Sequence, residues 1–198
     1  PGIRPIQYAR NVIVDRFLAT KHEWLVMVDA DQVMPENWWH LLGVNGADVV
    51  SGTTYVWMGT PYKEGRIRLN QYSLLKRDHV EFPECYNIAP EASQKDPYRV
   101  PIVGTGCLAI RRHVLEALSR NCFQFTYKPN GSIMGGEDIN FSQACNQAGF
   151  VIAVHPGVLF GHVKSVDLAM VEEYAQAKHQ MLVDGRVHTP EAMLSIGA

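Results

Sequence analysis

Two short acidic motifs and a late histidine hold most of the chemistry that this 198-residue sequence offers. Asp29-Ala30-Asp31 ends an apolar run, so its carboxylates leave a strand on alternate residues, share a face and can share a hard divalent cation. A cation there would neutralise diphosphate oxygens that carboxylates alone repel. The same triplet also suits a turn, where Asp caps the next helix or bonds its own backbone. Glu137-Asp138 follows Gly135-Gly136 and opens a helical pattern. The helix macrodipole gives acids at that place a structural role. Two acids nevertheless exceed what one cap needs, and paired glycines would let backbone approach a ligand closely. A carboxylate so placed can take the proton of an attacking alcohol. His162, in Phe160-Gly161-His162-Val163-Lys164, has a structural reading as a lone histidine, and neutral imidazole is also a common third donor to a divalent ion. Lys164, two positions on, would share its side of a continued strand and meet a phosphate. His22, His40, His79, His113, His155, His179 and His188 lack such company and read as structural or surface groups.

The elements that must position these residues follow from hydrophobic periodicity. Ile6, Ala9, Ile13 and Phe17, widened by Val14 and Leu18, predict an amphipathic helix over residues 5–21. Residues 23–28 are almost continuously apolar and too short for a buried helix, which predicts a buried strand ending at Asp29. Pro35 suits the first turn of a second helix carrying Trp38, Trp39, Leu41 and Leu42 and closed by Gly43. Residues 47–55 are rich in Val and Thr and read as a strand. Pro61, Pro83, Pro90 and Pro97 make the middle of the chain hairpins and loops. Residues 100–110 read as strand, Gly104-Thr105-Gly106 bend and strand. A short helix at 113–119 and another from Glu137 to Gly149 follow, then strands at 151–154 and 158–160 and a closing helix at 168–182. Helices alternating with short apolar strands predict an α/β sheet, whose ligands gather at the carboxyl ends of its strands.

Composition narrows the functional classes. With 46% hydrophobic and 19% charged residues the chain is an ordinary globular sequence, and one domain over 1–198 is the expectation. A net charge of -2 without long like-charged runs disfavours a nucleic-acid partner. The sequence has no apolar run of the ~20 residues that a transmembrane helix needs and no secretory leader pattern, which predicts a cytoplasmic or membrane-peripheral protein. Cys85, Cys107, Cys122 and Cys145 are too widely spaced for a zinc knuckle or redox dithiol and read as free thiols.

The order of the motifs is more informative than any one of them. Ala9-Arg10-Asn11 on a helix precedes Asp29-Ala30-Asp31, then Gly104-Thr105-Gly106-Cys107, Gly136-Glu137-Asp138 and Gly161-His162. Over roughly Ala9 to Lys164 the sequence resembles the GT-A fold nucleotide-sugar glycosyltransferases, in particular the family 2-like group of bacteria and viruses. The resemblance implies a Rossmann-like mixed sheet flanked by helices. It implies a divalent metal, Mn²⁺ or Mg²⁺, held by Asp29, Asp31 and His162, with Asp31 the more direct ligand and Asp29 also contacting the donor. It makes Asp138 the base toward the acceptor hydroxyl and Glu137 its positioning partner. Arg10, Gly104 and Gly106 would lie at the donor, a UDP- or GDP-sugar, and the acceptor would be a glycan or another hydroxyl compound. Such domains open with a strand-helix-strand that residues before Ala9 do not supply, and together with the first residue, Pro1, this predicts a fragment of a longer chain. Two other functions compete. Nucleotidyl transfer would call for a basic Gly-rich phosphate loop near the first strand, and none is visible. A non-catalytic sugar-binding module would use Trp24, Trp38, Trp39 and Trp57 as stacking surface, although core packing is the simpler role for them.

Overall fold

The computed structural model describes residues 5–58, 66–70, 73–75, 85–87, 95–118, 120–163 and 176. Lys164 and the helix expected over 168–182 lie outside these residues, Gln176 apart. In chain order the elements are α1 (Ile6–Leu18), β1 (Trp24–Val28), β2 (Gln32–Val33), a 3-10 helix (Trp38–Gly43), β3 (Val49–Met58), β4 (Arg66–Asn70), β5 (Ser73–Leu75), β6 (Cys85–Asn87), β7 (Tyr98–Arg99), β8 (Cys107–Arg111), α2 (Arg112–Ala117), β9 (Thr126–Tyr127), β10 (Ile133–Gly135), α3 (Glu137–Gln147) and β11 (Ile152–His162).

The sheet runs β1-β8-β3-β11-β2, with β4 beside β3 and β7 beside β11. Its β3–β11 pair is parallel and its other pairs are antiparallel, so the sheet is mixed. Alternation along each strand divides the core between the two faces. Leu108 and Ile110 of β8, Ile152 and Val154 of β11 and Val49 of β3 join one cluster with Val14 and Phe17 of α1, Val114 and Leu115 of α2, and Phe141 and Cys145 of α3. Cys107, Ala109, Ala153 and Val50 point the other way, toward Leu41 and Val44. Strands covered on both faces read as continuous apolar runs, which is how β1 and β8 appear in the sequence.

Three elements differ from the periodicity reading. The helix expected after Pro35 is a six-residue 3-10 turn, held by Trp38 N–H to the Pro35 carbonyl and His40 N–H to the Asn37 carbonyl. Gly43 and then Gly46, at φ +71°, end it before an α-helix can propagate. The two strands expected at 151–154 and 158–160 are one, β11, whose pairing with β3 slips between Val154 and Leu159. Pro156 lies in that slip, where the missing N–H costs no ladder bond. The strand expected before Gly104 is reduced to an isolated bridge at Val103. The buried face of α1 consists of Arg10, Val14 and Phe17, while Ile6 and Ile13 are each 41% exposed. A guanidinium therefore sits where periodicity alone would put an aliphatic side chain.

Candidate functional site

A cleft of about 240 Å³ opens beside the ends of β1 and β11 and the middle of β3, and Arg10, Asp29, Gly104, Gly106, Glu137, Asp138 and His162 are among the residues that line it. A larger, shallower hollow of about 510 Å³ lies elsewhere, between Trp39, His40, Pro97 and His155. Its lining contains no carboxylate, so the acid chemistry belongs to the smaller cleft.

The buried end of the cleft is organised by Arg10. Its Nη1 donates to Glu137 Oε1 at 2.5 Å and its Nη2 to Asp29 Oδ1 at 2.8 Å and to the Thr105 carbonyl at 3.4 Å. Thr105 Oγ1 donates to the same Glu137 oxygen at 3.4 Å. Arg10 and Glu137 are 4% and 8% exposed, and ions so enclosed persist only when paired. One helix, one strand end, one glycine bend and the first turn of α3 are thereby tied to a single guanidinium. The expectation that Arg10 reaches a donor meets a fork whose Nη1 and Nη2 already bond protein.

β2 assembles the other end of the cleft. Its two residues pair antiparallel with the end of β11, Gln32 opposite His162 and Val33 opposite Gly161, and Val163 N–H donates to the Asp31 carbonyl at 2.7 Å. This brings His162 Nε2 within 3.1 Å of Asp31 Oδ2. Asp29 turns away to Arg10, and among the described residues no three His, Cys, Asp or Glu side chains gather into a metal-holding group. The expected set of Asp29, Asp31 and His162 is therefore not assembled around one point, because Asp29 is held by the buried cation. Asp31 and His162 carry donor types that divalent ions take, and here Asp31 Oδ2 and His162 Nε2 are in hydrogen-bond contact with each other at 3.1 Å. Ions of this kind commonly take one or two protein ligands and complete their shell with phosphate oxygens and water.

Asp138 sits half-buried in the first turn of α3, with Oδ1 accepting the Ile139 N–H at 2.8 Å. Gly136 leaves the space that this carboxylate occupies, since a Cβ there would stand 2.6 Å from Asp138 Oδ1. Its φ of -69° and ψ of 164° suit any residue, so a substitution would displace only the carboxylate. Gly136→Ala is expected to melt like the wild type, because only the Asp138 carboxylate has to move, and thermal denaturation checks this. At Gly106 a Cβ would lie 2.5 Å from Gln32 Nε2 and 3.4 Å from Asp29 Oδ2, so a substitution there would push the Gln32 amide aside. Gly104 has open space around it. Cys107 lines the cleft floor, and burial pushes its thiol up to about 12, so it stays protonated and is no nucleophile at neutral pH.

The structure thus gathers Arg10, Asp29, Gly104, Gly106, Glu137, Asp138 and His162 at one cleft, with Asp31 bonded to His162 at its edge. Thr105 and Gln32 belong to the site without having been singled out as site residues. Thr105 stood inside the quoted glycine bend, whereas Gln32 carries no signal in a two-residue strand.

No family model matches the chain, and no curated protein matches it in sequence. Solved structures do resemble it. A197 from STIV aligns with TM-score 0.49 and 20% identity over 82% of this chain and 70% of its own. GalNAc-T7, solved with UDP, GalNAc and Mn²⁺, aligns with TM-score 0.54 and 19% identity over 82% of this chain, which spans 31% of that protein. The inositol-1-phosphate CTP transferase from T. maritima aligns with TM-score 0.39 and 12% identity, covering 86% and 61% of the two chains. The GalNAc-T7 likeness is the one of these above 0.5, and it identifies the fold: a mixed sheet flanked by helices, as in a GT-A glycosyltransferase. Among the described residues no helix is long and apolar enough to cross a membrane.

Proposed function

We propose that this chain is a metal-dependent glycosyltransferase, moving a sugar from a UDP- or GDP-sugar to the hydroxyl of a glycan or similar acceptor with inversion at the anomeric carbon. One observation carries the proposal. The hydrogen-bonded pair of Asp31 and His162 adjoins the cleft that Asp138 and His162 line, where the buried Arg10 bonds both Asp29 and Glu137. The shared fold of GalNAc-T7, a protein solved with UDP, GalNAc and Mn²⁺, supports it.

Asp31 and His162 would hold Mn²⁺ or Mg²⁺, which when bound offsets the charge of the departing diphosphate. Asp138 accepts the acceptor's hydroxyl proton as its oxygen bonds the anomeric carbon, and the bond from that carbon to the diphosphate breaks. Glu137, enclosed and bonded to Arg10 and Thr105, is a positioning residue that keeps the start of α3 in place. Asp29 combines its bond to Arg10 with a side chain 36% exposed, which leaves it open to contact the donor. Gly104, with open space around it, lets the donor sugar approach the backbone, Gly106 seats the Gln32 carboxamide beside it, and Lys164 is assigned to the phosphates.

Release of UDP or GDP from a nucleotide sugar tests the proposal. The Asp31 side chain is 44% exposed, so Asp31→Ala should fold normally. Its nucleotide release is expected to fall to the level the wild type shows in a chelator. Undiminished release in the variant would contradict the metal role.

A further inference from the structure

Two polar atoms at the cleft have no partner. Gln32 Oε1 and Thr54 Oγ1 are closed off from solvent and make no hydrogen bond. Both residues line the same cleft as Asp138 and His162. Buried polar atoms are bonded in the great majority of cases, because an unmade bond costs the whole desolvation of the group. Neighbouring hydroxyls on β3 obey that rule. Ser51 Oγ donates to the Gly52 carbonyl at 2.9 Å or the Cys107 carbonyl at 3.1 Å, and Thr53 Oγ1 donates to the Val158 carbonyl at 3.4 Å.

The register places the two orphans on one face of the sheet, on either side of β11. Gln32 lies directly opposite His162, and Thr54 lies beside Phe160, two residues before His162. Directly paired residues and alternate residues of one strand share a face, so Gln32, Thr54 and His162 stand on the same side of the sheet. Gly106 makes room for the Gln32 carboxamide, whose Nε2 would be 2.5 Å from a Cβ there. The terminal torsion of glutamine is broad, so this amide can turn within its place.

We infer that Gln32 and Thr54 recognise the sugar of the donor, an inference that rests on the nucleotide-sugar function proposed above. A carboxamide oxygen accepts only from O–H or N–H. Diphosphate oxygens carry no hydrogen to give it, whereas sugar hydroxyls and acetamido groups do. The Thr54 hydroxyl can donate or accept at the same ring. The diphosphate then falls to the Asp31–His162 end of the cleft.

Thr54→Val and Gln32→Met remove the orphan atoms while keeping size and shape. Calorimetry would use UDP-glucose, UDP-N-acetylglucosamine and GDP-mannose, with UDP and GDP as sugar-free controls, all in Mn²⁺, and each variant would also be melted without ligand. Each variant should melt at or above the wild type, because an unsatisfied group has gone. Affinity for the sugar nucleotide that the wild type binds should fall roughly fivefold, the worth of one hydrogen bond, while affinity for the free nucleotide holds within about twofold. A lower melting point, an equal loss of sugar-bearing and free nucleotide, or an unchanged affinity would overturn the inference. Were the wild type to bind none of these probes, the transferase function would fall and this inference with it. Were the wild type to bind one and both variants to match it, the inference alone would fail.

Discussion

Asp138→Asn should transfer sugar about 10² to 10⁴ times more slowly than the wild type, the usual worth of a positioned general base. Its affinity for the donor should stay almost unchanged. The amide keeps the shape of the carboxylate and its capacity to accept the Ile139 N–H, so only the capacity to take the acceptor proton is removed. Single-turnover rates and donor titrations on the same variant separate the two effects. Equal losses of rate and donor affinity would move Asp138 from the acceptor to the donor, and an unaltered rate would remove it from the chemistry.

The second large effect is on stability. Arg10→Met leaves Glu137 as a carboxylate 8% exposed with its guanidinium gone. Removing one partner of a buried pair costs about 3–5 kcal/mol because the other is left enclosed and unpaired. The Asp29 half of the bridge adds little, since that side chain is 36% exposed and water can replace the cation. In a chain of this size the loss corresponds to a melting point lower by roughly 6 °C or more. Arg10→Lys should restore only part of it, because an ammonium cannot span both acids as the planar fork does. Adding Glu137→Gln to Arg10→Met should raise the melting point again by neutralising the stranded group. A single variant melting within about 2 °C of the wild type would mean that the bridge does not hold the cleft.

Much of this architecture can be read from residue pattern. Long apolar runs announced β1 and β8, the Val- and Thr-rich stretch announced β3, and Gly135-Gly136 before two acids announced the start of α3. Those signals are local, since burial on both faces or a helix end dictates residue type within a few positions. What escaped depends on contacts distant in sequence. Two residues suffice for β2 because β11 supplies its partner, and no periodicity shows in so short a strand. The pairing of Arg10 with Glu137 joins positions 127 apart, and an arginine on an amphipathic helix looks solvent-facing until the acids that enclose it are placed. The diversion of Asp29 from a shared metal to that arginine could not be seen for the same reason. Asp-x-Asp spacing offers two carboxylates, and only the tertiary fold decides which one turns to a cation of the protein.

The most direct measurement is calorimetric titration of the wild-type chain with UDP- and GDP-sugars, with and without Mn²⁺. Binding of one of these donors that appears with Mn²⁺ and vanishes in chelator, followed by slow release of its nucleotide, is the expected result. Metal-independent binding of free glycans, with no response to any nucleotide, would contradict it.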